Sequence, residues 1–247
     1  MRICFQLDSK TDPVFFPFRY HEYLQAAIYQ SLSPEHAQKL HDQGFLHGKR
    51  SFKLFTFSRL LGRKAAPRET SPEKGIWLHP PFQWYISSPV EWIMQEMAEY
   101  FLRKGTLQLG QTQLTLIGIE VLSPPEIHPP VKIKMLSPMT IYSTFRKPDG
   151  KKVTHYYSPM EKDFSILMTE NARKKFQVLY NQNKESQFLI RPISQRNRER
   201  IIYYKGTVIR AWDGQYELVG DPDLIRITYE CGLGSKNSQG FGMWTPI

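Results

Sequence analysis

Ser123-Pro124-Pro125-Glu126-Ile127-His128-Pro129-Pro130 lies at the middle of the chain, and its four prolines decide how the rest is read. Each proline fixes φ and lacks a backbone N–H, so neither a helix nor a central strand continues through the segment. A linker there divides the 247 residues into two units of ordinary domain size, 1–124 and 125–247.

Upstream of the prolines, residues 106–109 and 113–122 read as strands that close the first unit. Before them 92–102 is an amphipathic helix with Ser88-Pro89 as its start signal. Strands are predicted at 52–60, 76–79 and 82–87, the first with Lys53, Phe55 and Phe57 on one side. Ser33 and Pro34 suit the N-cap and first position of a short helix that stops before Gly44. Leu24, Ala27 and Ile28 give 21–31 one narrow buried stripe, and Ile3, Phe5 and Leu7 make 1–8 a strand. That order is close to β-α-β-β-α-β, the ferredoxin-like pattern.

Downstream, strands are expected at 131–135 and 140–146, then a helix over 163–180 with Phe164, Met168, Ala172 and Phe176 on one side. Further strands are predicted at 187–191, 200–204, 207–213 and 224–230. A second α/β unit of similar size follows. The predicted fold class is α+β, two tandem ferredoxin-like domains.

Lys and Arg number 33 against 23 Asp and Glu, and of the resulting +10 the first unit carries +3 and the second +7. Such a field suits a polyanion, nucleic acid or an acidic membrane surface. No basic amphipathic helix with a strong apolar face supports the membrane alternative, and no apolar run approaches the roughly 20 residues of a membrane span. With 40% hydrophobic and 23% charged residues, wholesale disorder is excluded. The early charges Arg2 and Asp8 are unlike a signal peptide. Cys4 and Cys231 build neither a disulfide framework nor a four-cysteine metal site, and the histidines are too scattered for a metal-ligand spacing. A cytoplasmic protein with no metal and no cofactor is expected.

The segment Gly232-Leu233-Gly234-Ser235-Lys236-Asn237-Ser238-Gln239-Gly240-Phe241-Gly242 is the most unusual in the chain. Glycines at this density let a backbone approach a ligand closely, and free N–H groups cradle phosphate. It is not a Walker loop, and Asn237 stands where a dinucleotide fingerprint needs its third glycine. A tight turn into a terminal strand is the plain alternative; four glycines around Lys236 in a basic protein favour a nucleic-acid backbone. Tyr29, His41 and Lys53 do not stand out singly. His41 borders the apolar face of its short helix, where a histidine is more often structural than catalytic, and Lys53 resembles an ordinary edge lysine. Among the basic stretches, a solvated helix face accounts for Arg173-Lys174-Lys175 as well as RNA does. Arg191, Arg196 and Arg198 lie near Tyr203 and Tyr204, and interleaved cations and aromatics suit single-stranded nucleic acid.

Three pieces in order resemble the CRISPR repeat-RNA-processing endoribonucleases, the sixth Cas family. The first is Tyr23-Leu24-Gln25-Ala26-Ala27-Ile28-Tyr29, followed by Leu40-His41 and then Lys53-Leu54-Phe55-Thr56-Phe57-Ser58; the second is Leu136-Ser137-Pro138. The third, residues 229–243, is similar to the family's glycine-rich loop almost throughout. The resemblance implies two tandem ferredoxin-like (RRM-related) domains, the first with the catalytic residues and the second with the RNA-binding loop. It also implies a metal-independent cut within each repeat that leaves a 5′-hydroxyl and a 2′,3′-cyclic phosphate. The partner it implies is CRISPR repeat RNA, with a larger interference complex and a second copy of the chain as further candidates.

In such a cut the RNA's own 2′-OH is the nucleophile, so the protein supplies alignment, proton transfer and charge stabilisation. On the resemblance, His41 is the general acid/base, Lys53 the electrostatic stabiliser and Tyr29 the orienting partner. RNA-binding residues are expected at Lys49, Arg50, Arg191, Arg196, Arg198, Gly232, Gly234, Lys236, Asn237, Gly240 and Gly242. The segment 44–51 looks like an insertion, which makes Lys49 or Arg50 an alternative to Lys53 at the phosphate and His47 a second proton carrier. The competing reading is a non-catalytic RNA-binding protein on the same fold.

Overall fold

The computed structural model describes residues 1–66, 74–194 and 197–247. The first half runs β1 (Arg2–Asp8), β2 (Val14–Pro17), α1 (Tyr20–Gln30), α2 (Pro34–Asp42), β3 (Phe45–His47), β4 (Arg50–Phe52), β5 (Thr56–Phe57), β6 (Leu61–Lys64), β7 (Gly75–Ser87), α3 (Glu91–Lys104), β8 (Thr106–Leu109) and β9 (Thr112–Leu122). β1 lies at the centre because both its faces are buried through Ile3, Cys4, Phe5 and Leu7. It pairs antiparallel with β7, Phe5 opposite Trp84, and with β9, Phe5 opposite Ile119. The sheet order is β2-β7-β1-β9-β8, with β5 and β6 also on β7. Taking β1, β6, β7 and β9 as the framework, with α1 and α3 as crossovers, gives the split βαβ arrangement of the ferredoxin-like fold.

The second half repeats it: β10 (Val131–Met135), β11 (Tyr142–Arg146), β12 (Lys152–Tyr156), α4 (Lys162–Tyr180), β13 (Phe188–Pro192), β14 (Arg198–Tyr204), β15 (Thr207–Asp213), β16 (Gln215–Gly220), α5 (Pro222–Cys231) and β17 (Trp244–Pro246). Its sheet order is β13-β16-β10-β17. The β11–β12 and β14–β15 hairpins are insertions outside that sheet.

Four expectations are corrected. Residues 224–230, rich in β-branched side chains, form the helix α5 and not a strand. Asp221 caps its Asp223 and Leu224 N–H groups, Pro222 opens it, and Leu224, Ile225, Thr228 and Cys231 lie on its buried face. The single strand over 52–60 is broken at Leu54, whose φ of +50° turns the chain between β4 and β5. The strands at 76–79 and 82–87 are one strand, β7, continuous through Pro80-Pro81, which fall between the residues paired with β2 (up to Leu78) and those paired with β1 (from Phe82). Lys175 is not on a solvated face: it is 2% exposed.

One hydrophobic cluster, from Ile3 to Trp244, spans both halves. Polar ties reinforce it. The Arg2 guanidinium donates to Trp244 O at 2.8 Å and Tyr229 O at 2.7 Å, the Thr56 hydroxyl donates to Phe241 O at 3.0 Å, and Arg59 pairs with Asp213 at 2.7 Å.

Candidate active site and nucleic-acid cleft

α2 is short and mostly exposed; of its residues only Leu40 is buried. Its place is set from outside. Ser33 Oγ accepts from His36 N, Glu96 of α3 accepts from Ser33 N at 2.8 Å and pairs with His36, and the His36 ring stacks on Trp92 at 4.3 Å. Gly44, at φ +60°, ends the helix with its N–H on Lys39 O at 2.9 Å. This leaves His41 in the last turn with its side chain 76% exposed.

Around that imidazole the chain brings together the residues expected to act with it. The Tyr29 ring, half-buried at the end of α1, meets His41 edge-on at 6.0 Å. Lys53 Nζ donates to His41 O at 2.7 Å and to Ser51 Oγ at 3.2 Å, which leaves one of its three protons unspent. Asp42 accepts from His41 Nδ1 at 2.8 Å, a partner that the sequence reading missed. A carboxylate can only accept, so Nδ1 carries the hydrogen and Nε2 is the nitrogen left to exchange a proton. The hydrogen bond to His41 holds the Asp42 carboxyl below its ordinary range. Burial pushes the Tyr29 phenol up to about 12 and pulls the Lys53 ammonium down, with Asp42 opposing the latter. Tyr29 is thus a hydrogen-bond donor at neutral pH, not a base.

Lys53 also lines a cleft of about 390 Å³ whose opposite wall is the glycine-rich loop. The loop is held from within. Lys175 Nζ donates to Gly232 O at 2.7 Å, Gly234 O at 2.9 Å and Asn237 Oδ1 at 2.7 Å, while Asn237 Nδ2 donates to Leu233 O and Phe241 O. The glycines face the protein itself. A Cβ on Gly234 (φ +69°) would lie 2.3 Å from Thr140 O, and one on Gly242 (φ +83°) 2.1 Å from Leu233 O. Gly232, Gly240 and the Asn237 side chain are buried as well. What the loop offers the cleft is Ser235, Lys236, Ser238 and Gln239. Lys236 Nζ stands 5.2 Å from the centroid of Tyr142, and burial lowers its pKa. Gln25 of α1 donates to Ser238 O at 2.7 Å, tying the helix of Tyr29 to the loop.

The remaining candidates divide by position. Arg50 lines the same cleft as Lys53, while Lys49 projects from the exposed β3–β4 turn. His47 is engaged across that hairpin, its Nε2 on Gln177 of α4 at 2.7 Å, and it is not beside His41. Arg191 and Arg198 are exposed on β13 and β14, away from the cleft lining. Arg196 lies outside the described residues. The sequence reading did not single out Asn171 and Tyr142, which also line the cleft, because their neighbours in space are remote in the chain. Among the described residues no three His, Cys, Asp or Glu side chains converge as a metal-ligand set, and no helix is long and apolar enough to cross a membrane.

Comparison with known proteins gives a consistent result. A family model described as CRISPR-associated protein Cas6, N-terminal, matches residues 15–120, and one described as CRISPR associated protein Cas6, C-terminal, matches 122–246. The chain is 30% identical to CRISPR-associated endoribonuclease Cas6 1 of Methanocaldococcus jannaschii, over 98% of this chain and 91% of that one. It is 28% identical to CRISPR-associated endoribonuclease Cas6 of Pyrococcus furiosus, over 92% and 82% respectively. A solved structure described as CRISPR associated protein Cas6 superposes with a TM-score of 0.80 at 27% identity, covering 100% of this chain and 99% of that one.

Proposed function

This chain belongs to the CRISPR-associated Cas6 family of endoribonucleases, and from that premise we propose that it binds CRISPR repeat RNA and cuts it without a metal by attack of the RNA's own 2′-OH. The observation that carries this reading is the meeting of Tyr29, His41 and Lys53 at the edge of a cation-lined cleft. In the proposed reaction the 2′-oxygen loses its proton and bonds to phosphorus, the P–O5′ bond breaks, and the departing 5′-oxygen takes up a proton. The products are a 2′,3′-cyclic phosphate and a 5′-hydroxyl.

His41 Nε2 exchanges the proton, since Asp42 occupies Nδ1. The ammonium of Lys53 donates its remaining N–H as a hydrogen bond to a non-bridging phosphate oxygen, where a fixed donor gains strength as charge builds up. Tyr29 donates a hydrogen bond that orients the 2′-OH or the phosphate. We assign Lys53 and not Lys49 to the scissile phosphate because its ammonium already touches the His41 backbone. Arg50 and Lys236 then hold flanking phosphates. On this reading residues 1–124 carry the chemistry and 125–247 supply the loop that completes the cleft.

General acid–base help is worth about 10²–10⁴ in rate. His41→Ala is expected to lower single-turnover cleavage of labelled repeat RNA by that order while leaving its affinity for the RNA intact. A 2′-deoxy substitution at the scissile nucleotide stops cutting by the wild type, and chelators do not. Equal cutting by wild type and His41→Ala, or cutting of the deoxy substrate, refutes the assignment.

A further inference from the structure

The floor of the cleft carries a polar group that this chemistry leaves unused. Asn171 of α4 is 5% exposed, lines the cleft, and has a buried Oδ1 with no hydrogen-bond partner. A buried polar atom left unpaired is destabilising, and nearly all such atoms in folded proteins are paired. The nearest cation on the same helix face, Lys175, spends its three protons on the loop and cannot serve Asn171. The unpaired carboxamide therefore belongs to a residue in the lining of a cavity with room for a ligand.

The surroundings say which ligand. Tyr142 and Phe52 offer aromatic surface along the walls, and Lys53 and Lys236 line the same cavity. Its volume, about 390 Å³, lies in the range of small-molecule sites. An unpaired nucleotide matches every part: a flat face for an aromatic ring, a phosphate for the cations, and an edge with adjacent donor and acceptor for the carboxamide. Asparagine pairs in this two-pronged way with adenine above other bases, its oxygen on the amino group and its NH₂ on a ring nitrogen.

We propose that Asn171 determines base specificity: an unpaired adenine of the bound RNA enters the cleft, stacks on Tyr142 and pairs with the Asn171 carboxamide. This deepens the RNA reading of the cleft and rests on it. The test is selection from a pool of RNAs with twenty randomised positions by full-length His41→Ala protein, with and without Asn171→Ser or the isosteric Asn171→Asp, followed by sequencing of the bound fraction. The parent is expected to favour adenine over each other base at one position by roughly 5- to 150-fold, and both Asn171 variants to lose that preference while keeping preferences elsewhere. Enrichment unchanged in both variants, or a parent that enriches no adenine, overturns the inference with RNA binding intact. A parent that retains no RNA overturns the cleft reading itself.

Discussion

His21 and His41 show how far two copies of one side chain can diverge. His41 is exposed, with Asp42 on Nδ1, while His21 is 7% exposed at the start of α1, its ring 4.5 Å from that of Tyr20 and its Nδ1 without a partner. Burial, with a smaller contribution from the nearby Arg59 cation, pulls the His21 pKa from 6.5 down to about 4. Between those values the unfolded chain holds a proton that the folded chain refuses, so stability falls as pH drops from 6.5 towards 4. The full window is worth roughly 3 kcal/mol at 1.36 kcal/mol per unit. Urea unfolding at pH 7, 6 and 5 reads this directly: the wild type should lose stability across the series, and His21→Gln should lose markedly less. Identical slopes for the two proteins defeat the prediction. Nothing in the sequence separates the two histidines, since each sits one residue from an aliphatic or aromatic core position. What separates them is which face a distant loop covers, and Gly240 covers His21.

At the scale of elements, the glycine-rich segment was legible as special, but the reason differs from the one its composition suggests. Density of glycine predicts a backbone open to a ligand; the glycines instead let the loop close onto Thr140, Leu233 and Phe57. Lys175 is the post around which it closes. Its position within Arg173-Lys174-Lys175 concealed this, because three cations in a row on a helix necessarily point in different directions. Apolar patterning and the Ser33-Pro34 cap signal made β1, β7–β10, β13 and α1–α4 readable, whereas α5 was hidden by its Ile and Thr content, Gln215–Gly220 by its mixed polarity, and Leu61–Lys64 by its two cations just past the predicted 52–60 strand. Removing the ammonium with Lys175→Met orphans three buried acceptors and is expected to cost about 3–5 kcal/mol and to weaken RNA binding. Lys174→Met, one residue away and only loosely paired to Glu170 at 3.8 Å, should stay within about 0.5 kcal/mol of wild type. Chemical denaturation of the two variants side by side decides the matter; equal stability would remove Lys175 from its structural role.

Across the whole molecule, the two ferredoxin-like units are recognisable from the Pro-rich segment, yet that segment does not act as a loose tether. Ile127 within it is buried, and the apolar cluster passes without a break from β1 to β17. Arg2, on the first strand of the first sheet, is 2% exposed and lies 3.5 Å from the Tyr229 ring centroid while donating to two carbonyls of the second half. Burial lowers its pKa to about 10, so it stays charged at neutral pH. A cation with those partners makes the second unit part of the first unit's solvation, and the cleft, walled by both, keeps its shape only while they stay docked. Cooperative unfolding of both halves follows, and it can be measured by amide exchange under native conditions. The most protected amides of β1 and of β10 should report one common opening free energy. Arg2→Met should lower both by the same amount, about 3 kcal/mol, because two buried carbonyls lose their donor. A loss of protection confined to one half would show that the units fold independently, and that the cleft is an assembly of two separable parts.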